Sequence, residues 1–450
     1  YYGLAYIHLW IIENLRVSPG VTFTSTVLKA LQVGFIKDLI PKLPKEIEDF
    51  VSPAISGGRA ELYRMWQEDA KFYDKNGLYG EAYSKPLPVK LPYIRDDLTP
   101  EELLNTKDQG IVDVNIYVPE DLEVGPLPVR DDKRGIIYPV GHIRSTKKHP
   151  IRYFTPLLEE AVNKHGVVIE KVNFGVFFKK TSQFLRPWAE FTAKLKEGAK
   201  NRGERKLASL SMQVIYGKFA QKEERQVVHI GPIPKDRRDD PAVTFPDIEL
   251  PIWFETIERK LPNRLPHIAA AITGWAHVIM LQDFARVAEF GGQICYTDTD
   301  SLVTDKYIPK DMVGTSLGTY RLEHDHDTFF GVAPKFYYRV PKKLEEKIEG
   351  KIKGIPNYNA TRKDIETLLG GRKLQFEWDR SPSVVETIVA KYLYASNPDA
   401  YDNILASLKR KEKRSLPGNA RKSAAILDID TRRRQLSMNK SRPLNVTEII

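Results

Sequence analysis

The sequence is poor in cysteine, with Cys295 as the single such residue among 450. A disulfide scaffold and a cysteine-based zinc site are therefore excluded, a reducing compartment fits, and we expect Cys295 to pack as a small buried residue. Long hydrophobic runs are also missing, since the longest apolar run, 268–281, is shorter than a membrane span and contains His277. No repeat period or low-complexity tract is visible, which excludes collagen-like and coiled-coil classes.

Charge is abundant but unevenly distributed. The chain has 69 Lys and Arg against 59 Asp and Glu, a net charge of +10, with 42% apolar residues. This composition is that of a soluble globular protein with about two to four domains. Residues 409–442 contain twelve basic and three acidic residues, a local charge of +9, so the rest of the chain is near neutral. Such a segment favours contact with a polyanion, although a solvated basic tail has the same composition.

The order of helix-like and strand-like patterns predicts an α+β fold. The strand-like segments are short, and several alternate apolar and polar residues. Helices are predicted within 1–50, at 154–165, over most of 191–221 and from about 264 to 290. The helix at 154–165 is predicted to have Thr155 as its cap and to end at Gly166. Strands are predicted at 60–63, 70–73, 111–118 and 226–230 and on both sides of 296–300.

An acidic tip joins two strand-like runs within 294–304, where Asp298 and Asp300 are two residues apart. In an extended backbone, residues i and i+2 face the same side, so both carboxylates can point at one spot. Hard divalent cations such as Mg²⁺ prefer carboxylate oxygens together with water and substrate phosphates. The pattern indicates a metal site, although an acidic surface turn has the same residues.

A further carboxylate, Asp74, ends an apolar strand and precedes an Asn76-Gly77 turn signal. An Asp at a strand end beside a glycine-assisted turn could complete a metal site with Asp298 and Asp300. Taken alone, this segment is also typical of a capped turn.

The segment 206–219 has the spacing of an amphipathic helix. Lys206, Gln213 and Gly217 lie near one face at intervals of seven and four residues. A face with a cation, an amide and a glycine suits a triphosphate and a base, and it also suits a helix packed on a sheet.

Basic and aromatic residues alternate over 333–339, a predicted strand in which Lys335 and Tyr337 share a face. This arrangement suits a phosphate contact combined with stacking, and it also occurs in ordinary half-exposed strands. The nearby His-Asp-His-Asp segment at 324–327 is predicted to be a polar loop rather than a metal site, because adjacent residues alternate in direction.

These four segments, together and in this order, resemble the family B DNA polymerases, specifically the protein-primed branch of linear mitochondrial plasmids and some phages. The resemblance covers about residues 56–443. Its most specific part is Tyr-Thr-Asp-Thr-Asp-Ser at 296–301, which matches the family's second carboxylate motif without departure. At 74–80 the chain keeps the family's Asp and Leu-Tyr, with Gly77 in place of Ser and Gly80 in place of Pro.

Two shorter motifs are kept and the middle one departs. Lys335 and Tyr337 match the family's Lys-x-Tyr motif, and the Gly-Gly-Arg at 57–59 resembles the linker between proofreading and polymerising domains. The middle motif, Lys-x-x-x-Asn-Ser-x-Tyr-Gly, keeps its Tyr-Gly. It has Ser209, Gln213 and Val214 in place of Lys, Asn and Ser, and Lys206, one helical turn earlier, is a candidate substitute for the missing Lys.

The resemblance implies an α+β fold with the right-hand polymerase architecture of palm, fingers and thumb plus two family-type insertions. The implied domains are a remnant of the exonuclease-side region and linker (1–55), palm with the first catalytic Asp (56–90), an insertion resembling the region that guides a terminal protein (91–180), fingers (181–220), a second, processivity-type insertion (221–260), palm with Asp-Thr-Asp (261–334), and thumb with the basic C-terminal segment (335–450).

The resemblance also implies a site and its partners. Two Mg²⁺ (or Mn²⁺) ions, a DNA template and primer, and deoxynucleoside triphosphates are expected, with a terminal protein as a further partner and no membrane. The implied residues are Asp74, Asp298 and Asp300 for catalysis, with Asp74 and Asp300 on the metals; Leu78, Tyr79, Lys206, Gln213, Tyr216 and Gly217 for the nucleotide; and Gly57, Gly58, Arg59, Thr299, Ser301, Lys335 and Tyr337 for DNA. The basic segment 409–442 would grip duplex DNA.

The implied function is a DNA-directed DNA polymerase that replicates a linear plasmid-like or viral-like DNA in the mitochondrion, or in the cytoplasm of a phage-infected or plasmid-bearing host. The N-terminal residues lack the family's exonuclease motif, so we expect no proofreading from the chain as given. The alternative is a catalytically impaired, diverged DNA-binding or replication-accessory protein with the polymerase fold, which the departures at Ser209, Gln213 and Val214 favour. A reverse transcriptase fits less well, because that class has adjacent aspartates at the tip.

Overall fold

A computed structural model describes residues 2–37, 40–222, 224–234, 242–243, 252–258, 261, 263–343, 346–353, 359–369, 374–380, 410–416 and 432–449. They fall into two compact units. Unit 1 lies within Tyr1–Gly57, Gly77–Val118 and His142–Met280, and unit 2 within Gly58–Asn76, Pro119–Gly141 and Leu281–Ile450.

Helices and strands are interspersed along the chain, as expected for α+β. The α-helices in the described residues are α1 (Tyr2–Trp10), α2 (Phe23–Gly34), α3 (Lys45–Val51), α4 (Leu78–Tyr83), α5 (Pro100–Asn105), α6 (Thr155–His165), α7 (Arg186–Glu197), α8 (Arg202–Phe219), α9 (Pro266–Glu289) and α10 (Arg362–Leu369). The strands there are β1 (Ala60–Leu62), β2 (Trp66–Lys75), β3 (Leu87–Val89), β4 (Tyr93–Arg95), β5 (Gln109–Val118), β6 (Val129–Asp131), β7 (Gly135–Ile137), β8 (Gly141–Ile143), β9 (Arg152–Phe154), β10 (Val168–Phe178), β11 (Lys180–Ser182), β12 (Glu224–Ile230), β13 (Ala242–Val243), β14 (Ile252–Glu258), β15 (Ile294–Asp298), β16 (Ser301–Thr304), β17 (Tyr320–Ala333), β18 (Phe336–Val340), β19 (Glu349–Ile352), β20 (Leu374–Arg380), β21 (Arg410–Leu416), β22 (Arg433–Ser437) and β23 (Lys440–Pro443).

Unit 2 is built on a seven-stranded sheet with the order β1-β15-β16-β2-β17-β18-β19. All of its pairs are antiparallel. Strand β2 is therefore central although it comes early in the chain, and it lies between the later strands β16 and β17. A cluster of buried side chains holds the middle of the sheet, formed by Leu62, Met65, Ala70, Phe72, Cys295, Tyr296, Val303 and Phe329.

Cys295 is fully buried in that cluster, which confirms the expectation from the sequence. Burial away from water raises the pKa of its thiol to about 12, because the charged thiolate would lose its hydration. The thiol is therefore protonated at neutral pH and behaves as an apolar side chain.

The C-terminal hairpin, β22–β23, is part of unit 2. The main-chain N–H of Met65 donates to the Met438 carbonyl at 2.7 Å, and Gln435 Nε2 donates to the Leu62 carbonyl at 3.0 Å. Its arginines are largely engaged within the chain, since Arg433 is buried against Glu61 while Arg434 and Arg442 pair with Glu448. These three hairpin arginines thus offer less free charge than the composition of the basic segment indicates; residues 409 and 417–431 lie outside the described residues.

Unit 1 contains a second sheet, β4-β10-β5-β8, with β9 paired to β5. Helices α2, α4, α7 and α8 form a helical part in which Phe35 contacts Trp188 edge-on at 5.1 Å. A buried ion pair joins Glu48 on α3 to Arg264 before α9 at 2.5 Å. The expected first insertion, 91–180, is divided between the units, because 119–141 belongs to unit 2.

Helix α9 is the long apolar helix that the sequence predicts. By length and composition it could cross a membrane, but 83% of its most apolar window is buried inside the protein, as in the core helix of a soluble protein. It begins at Pro266, where a missing N–H costs nothing, and its buried residues are mostly apolar, with His267, Thr273, His277 and Asp283 as the buried polar ones.

Two local predictions from the sequence are wrong. Thr155 does not cap α6, because its Oγ1 accepts from the Gly110 N–H and Phe154 occupies the cap position. The segment 324–327 is not a loop but lies within the irregular strand β17, where His326 has φ of 59°. The prediction for 191–221 is confirmed, since most of that region is helical, in two helices with a break between the end of α7 and Arg202.

We predict that Gly274→Val destabilises unit 1 by about 2 kcal/mol. A Cβ at Gly274 on α9 would lie 2.8 Å from Phe154 Cδ1 and 2.9 Å from Phe154 Cβ, so a buried ring must move. Urea unfolding measures the loss. Gly34→Val is the matched control, because no described atom lies within 4 Å of a Cβ there; a loss as large for Gly34→Val would contradict the packing explanation.

Candidate active site

The acidic tip is a two-residue hairpin turn between β15 and β16. Asp298 pairs with Ser301 across the hairpin, so Thr299 and Asp300 form the loop. Thr299 has φ of 67°, a left-handed conformation that is strained for a β-branched residue. Two main-chain hydrogen bonds hold it: Thr299 N–H donates to the Arg59 carbonyl at 2.6 Å and Asp300 N–H to the Asp298 carbonyl at 2.9 Å.

Strand register brings Asp74 beside this tip. Asp74 on β2 pairs with Ser301 on β16, which in turn pairs with Asp298 on β15. Residues directly opposite one another in antiparallel strands share a face, so Asp298, Ser301 and Asp74 form one row across three strands. These three residues and Asp300 line one cavity of about 670 Å³. The structure therefore brings together the three carboxylates that the sequence singles out.

The carboxylates have unequal surroundings. Lys335 Nζ lies 2.5 Å from Asp298 Oδ1, which neutralises that carboxylate. Asp74 and Asp300 fit a hard divalent cation by their oxygen chemistry and their shared cavity. Within the described ranges, no group of three or more His, Cys, Asp or Glu side chains could hold an ion. A cation at Asp74 and Asp300 would thus need water and substrate oxygens as its other ligands, as Mg²⁺ commonly does.

Lys335 does not share a strand face with Tyr337, so that prediction is wrong. Lys335 lies in the turn before β18 with φ of 64°, and its N–H donates to the Tyr296 hydroxyl at 2.9 Å. The Tyr337 ring lies 5.0 Å from the Tyr296 ring, and burial raises the pKa of Tyr337. Both side chains still line the cavity, but the turn, rather than strand alternation, aims Lys335 at Asp298.

The Gly-Gly-Arg segment supports the tip from behind. Arg59, which the sequence predicts as a DNA contact, is buried with its guanidinium engaged within the protein. Its guanidinium donates to Glu61 at 2.8 Å and to the Gly125 carbonyl at 2.5 Å, and it lies 3.6 Å from the centre of the Tyr138 ring. The glycine before it is required by space, because a Cβ at Gly58 would lie 2.4 Å from Thr299 Oγ1.

Glu61 is a site residue that the sequence pattern does not reveal. It is fully buried between Arg59 and Arg433, with Arg433 Nη1 at 3.3 Å. Arg59 is two residues from Glu61, but Arg433 is far from both in the chain and no periodic pattern links it to them. A single sequence carries no signal for such a pairing.

In unit 1, the predicted nucleotide residues of α4 and α8 contact each other. The Tyr79 and Tyr216 rings stack with centroids 4.1 Å apart at 19°. The Tyr83 hydroxyl donates to the Met212 carbonyl at 2.8 Å and accepts from the Tyr216 N–H at 3.3 Å. Leu78 is buried in the first turn of α4. The two helices are thereby held together next to the stacked rings.

Gly77 has a physical reason to be glycine. It stands at the N-cap of α4 with φ of 76° and ψ of 63°, where L-residues with a side chain are disfavoured. The Gly in place of the family's Ser thus matches the local backbone. For Gly80, buried in α4, no corresponding backbone requirement is found.

Helix α8 has the predicted exposed face. Lys206, Gln213 and Gly217 are all exposed. Ser209 and Val214 are half-buried. The opposite side is formed by the buried residues Ala208, Ser211, Met212, Ile215 and Phe219. The helix thus presents its amide and its cation away from the core.

Comparison with known proteins finds similarity to DNA polymerases, both in a family model and in individual fungal proteins. The family model for DNA polymerase type B, organellar and viral, matches residues 22–236. A probable DNA polymerase of Podospora anserina is 24% identical over 370 residues, which cover 73% of this chain and 29% of that protein. A probable DNA polymerase of Neurospora intermedia is 25% identical over 366 residues, covering 73% of this chain and 35% of that protein.

Solved structures of phi29 DNA polymerase have the same fold. The complex with primer-template DNA and incoming nucleotide substrates gives a TM-score of 0.60 at 20% identity, over 81% of this chain and 65% of that one. The complex with single-stranded DNA gives 0.56 at 20% identity, with the same coverage. The chain thus spans about a third of the fungal relatives and just under two thirds of the phi29 protein.

We predict that Gly58→Ala weakens divalent-cation binding by about tenfold, the usual size of an effect transmitted by residues that support metal ligands. The added Cβ would collide with Thr299, and the turn that carries Asp298 and Asp300 must then shift. A Mn²⁺ titration followed by electron paramagnetic resonance measures the affinity. In the control Gly57→Ala no described atom lies within 4 Å of the added Cβ; equal affinities for the two variants would refute the steric role.

Proposed function

We propose that this chain is a family B DNA polymerase of the organellar and viral type and adds deoxynucleotides to a 3′ end on a DNA template. The observation that carries the proposal is the row of Asp298, Ser301 and Asp74 across three strands, with Asp300 lining the same cavity. Carboxylates grouped in this way suit the metal-assisted transfer of a nucleotidyl group.

Asp74 and Asp300 would hold Mg²⁺ or Mn²⁺, two ions by analogy with the family. When bound, the ions would lower the pKa of the attacking 3′-hydroxyl and neutralise the triphosphate. The protein's own contribution is to hold the carboxylates on adjacent strands of a rigid sheet, so that little reorganisation is needed during in-line attack.

Lys335 and Asp298 would serve the primer end rather than a metal. Their ion pair fixes a cation at the cavity wall, where a phosphate of the primer strand is a suitable partner. Tyr337 lies on β18, the strand that follows Lys335, and would pack against the terminal sugar. The Gly57–Gly58 segment and the turn residues Thr299 and Ser301 remain proposed neighbours of the DNA.

The nucleotide would be recognised by residues of α4 and α8. Tyr79 would pack under the sugar and exclude a 2′-hydroxyl, and Tyr216 with Gly217 would line the base pair. Exposure of Lys206 and Gln213 supports their availability to the triphosphate and base, with Lys206 in place of the Lys that is absent at Ser209.

The replicated DNA, its location in the cell and the partner protein are proposed from similarity to known proteins rather than from the geometry of the site. The match to the organellar and viral family model and the similarity to fungal polymerases support our proposal that the chain replicates a plasmid-like linear DNA in the mitochondrion. A terminal protein would prime synthesis and contact the region 91–180, and the segment 221–260 would favour processivity. Residues 335–450 would include the thumb.

We expect Asp74→Ala and Asp300→Ala each to abolish metal-dependent primer extension, because each removes a carboxylate that the ions require. The assay is extension of a labelled primer with Mg²⁺ or Mn²⁺. Glu68→Ala is the control, since Glu68 is an exposed carboxylate on the same strand as Asp74. Extension by both Asp variants at the unaltered rate would rule out the assignment.

We expect Tyr79→Ala to lower discrimination against ribonucleotides by about tenfold or more, since loss of the ring opens the space beneath the sugar. Competing incorporation of deoxy- and ribonucleotides measures the ratio. Tyr79→Phe keeps the ring that stacks on Tyr216 and should keep the selectivity. An unchanged ratio in Tyr79→Ala would exclude a steric gate at this position.

A further inference from the structure

Lys75, the residue that follows Asp74 in the chain, forms a buried ion pair with Asp283 within unit 2. Lys75 Nζ is 2.6 Å from Asp283 Oδ2, and the two side chains are 3% and 11% exposed. The Tyr320 hydroxyl donates to the same Asp283 oxygen at 2.9 Å, and the Lys75 ammonium lies 4.7 Å from the centre of the Tyr320 ring. Asp283 thus receives two hydrogen bonds, and β2, β17 and α9 are joined at one point.

Lys75 is connected to both proposed metal ligands. It follows Asp74 in β2, and its own N–H donates to the Asp300 carbonyl at 2.8 Å. Side chains alternate along a strand, so the ammonium of Lys75 lies on the opposite face of the sheet from the Asp74 carboxylate. The strand partner of Lys75 is Tyr320, the other donor to Asp283.

A buried ion pair is a poor choice for stability alone, because the cost of removing both charges from water offsets their attraction. Apolar residues of similar volume often stabilise a core as well or better. What an ion pair does supply is a defined separation between two backbone segments, because its hydrogen bonds tolerate little displacement. Here those segments are the end of β2 and helix α9.

We propose that Lys75 is a positioning residue: its ion pair with Asp283 fixes the end of β2, and through it the separation between the Asp74 and Asp300 carboxylates. This inference rests on the proposed function. It gives Lys75 and Asp283 a role in cation affinity without contact with the cation.

The test compares Lys75→Met with Lys71→Met in the full chain. Lys71 is a matched control, because it lies on the same strand and face, is also buried, and pairs with Asp69 at 2.8 Å. Mn²⁺ binding is followed by electron paramagnetic resonance and thermal unfolding by calorimetry. We expect about tenfold weaker Mn²⁺ binding for Lys75→Met and unaltered binding for Lys71→Met. Equal Mn²⁺ affinities for the two variants would overturn the proposal.

The double variant Lys75→Met/Asp283→Leu distinguishes the effect of the ion pair on the position of β2 from its effect on the stability of the fold. It leaves no unpaired buried charge, so the unfolding temperature should recover towards that of the unaltered protein. Mn²⁺ binding should remain about tenfold weaker, because the fixed separation is still lost. Recovery of Mn²⁺ affinity together with stability would overturn the positioning role, and this variant decides the matter if Lys75→Met does not fold.

Asp74→Ala distinguishes failure of the inference from failure of the function. If Asp74→Ala keeps both Mn²⁺ binding and primer extension, the proposed function fails and the inference fails with it. If Asp74→Ala loses both while Lys75→Met behaves like Lys71→Met, the positioning role alone is wrong.

Discussion

Three carboxylates around one cavity repel one another, and unit 2 is organised around holding them there. Like charges a few ångströms apart destabilise the fold unless rigid backbone and nearby cations offset the repulsion. The rigid backbone comes from three hydrogen-bonded strands that set Asp298, Ser301 and Asp74 in one row. One cation, Lys335, neutralises Asp298 directly at 2.5 Å. A divalent cation at Asp74 and Asp300 would reduce the repulsion among these carboxylates further, in keeping with the chemistry that we propose for this site.

Backbone strain at this place is part of the same arrangement. Thr299 and Lys335 both have positive φ, in the two turns joined by the ion pair between Asp298 and Lys335. Such conformations persist only where surrounding contacts determine them. For Thr299 those contacts are the Arg59 carbonyl and the bare Cα of Gly58, and Arg59 is in turn fixed by the buried carboxylate of Glu61. The contacts that support the tip therefore continue from Arg59 to Glu61 on β1 and from Glu61 to Arg433 in the C-terminal hairpin.

The sequence predicts the parts of this site that depend on local pattern. Two-residue alternation places Asp298 and Asp300 at a strand tip, and helical spacing exposes Lys206, Gln213 and Gly217 together. Apart from the grouping of Asp74 with Asp298 and Asp300, it does not predict contacts between distant segments. Lys335 leaves its expected strand because the turn between β17 and β18 falls inside the predicted strand 333–339, and Arg59 is buried because Glu61, Gly125 and Tyr138 surround it. These outcomes depend on which strands pair, and one sequence does not contain that information.

The residues that depart from the family motifs belong to α4 and α8 or the cap of α4, and their positions depend on other interactions than those that place the carboxylates. Register between β2 and β16 fixes Asp74 opposite Ser301, and no residue of α4 or α8 enters that pairing. Gly77 changes only how α4 begins: its φ of 76° replaces a capping side chain by a left-handed backbone. On α8, Gln213 is exposed and Ser209 is half-buried, and neither is among the buried residues that pack the helix. Substitutions in the proposed nucleotide motif can therefore accumulate without disturbing the carboxylate row, so they would affect the proposed nucleotide contacts and not the arrangement of the carboxylates.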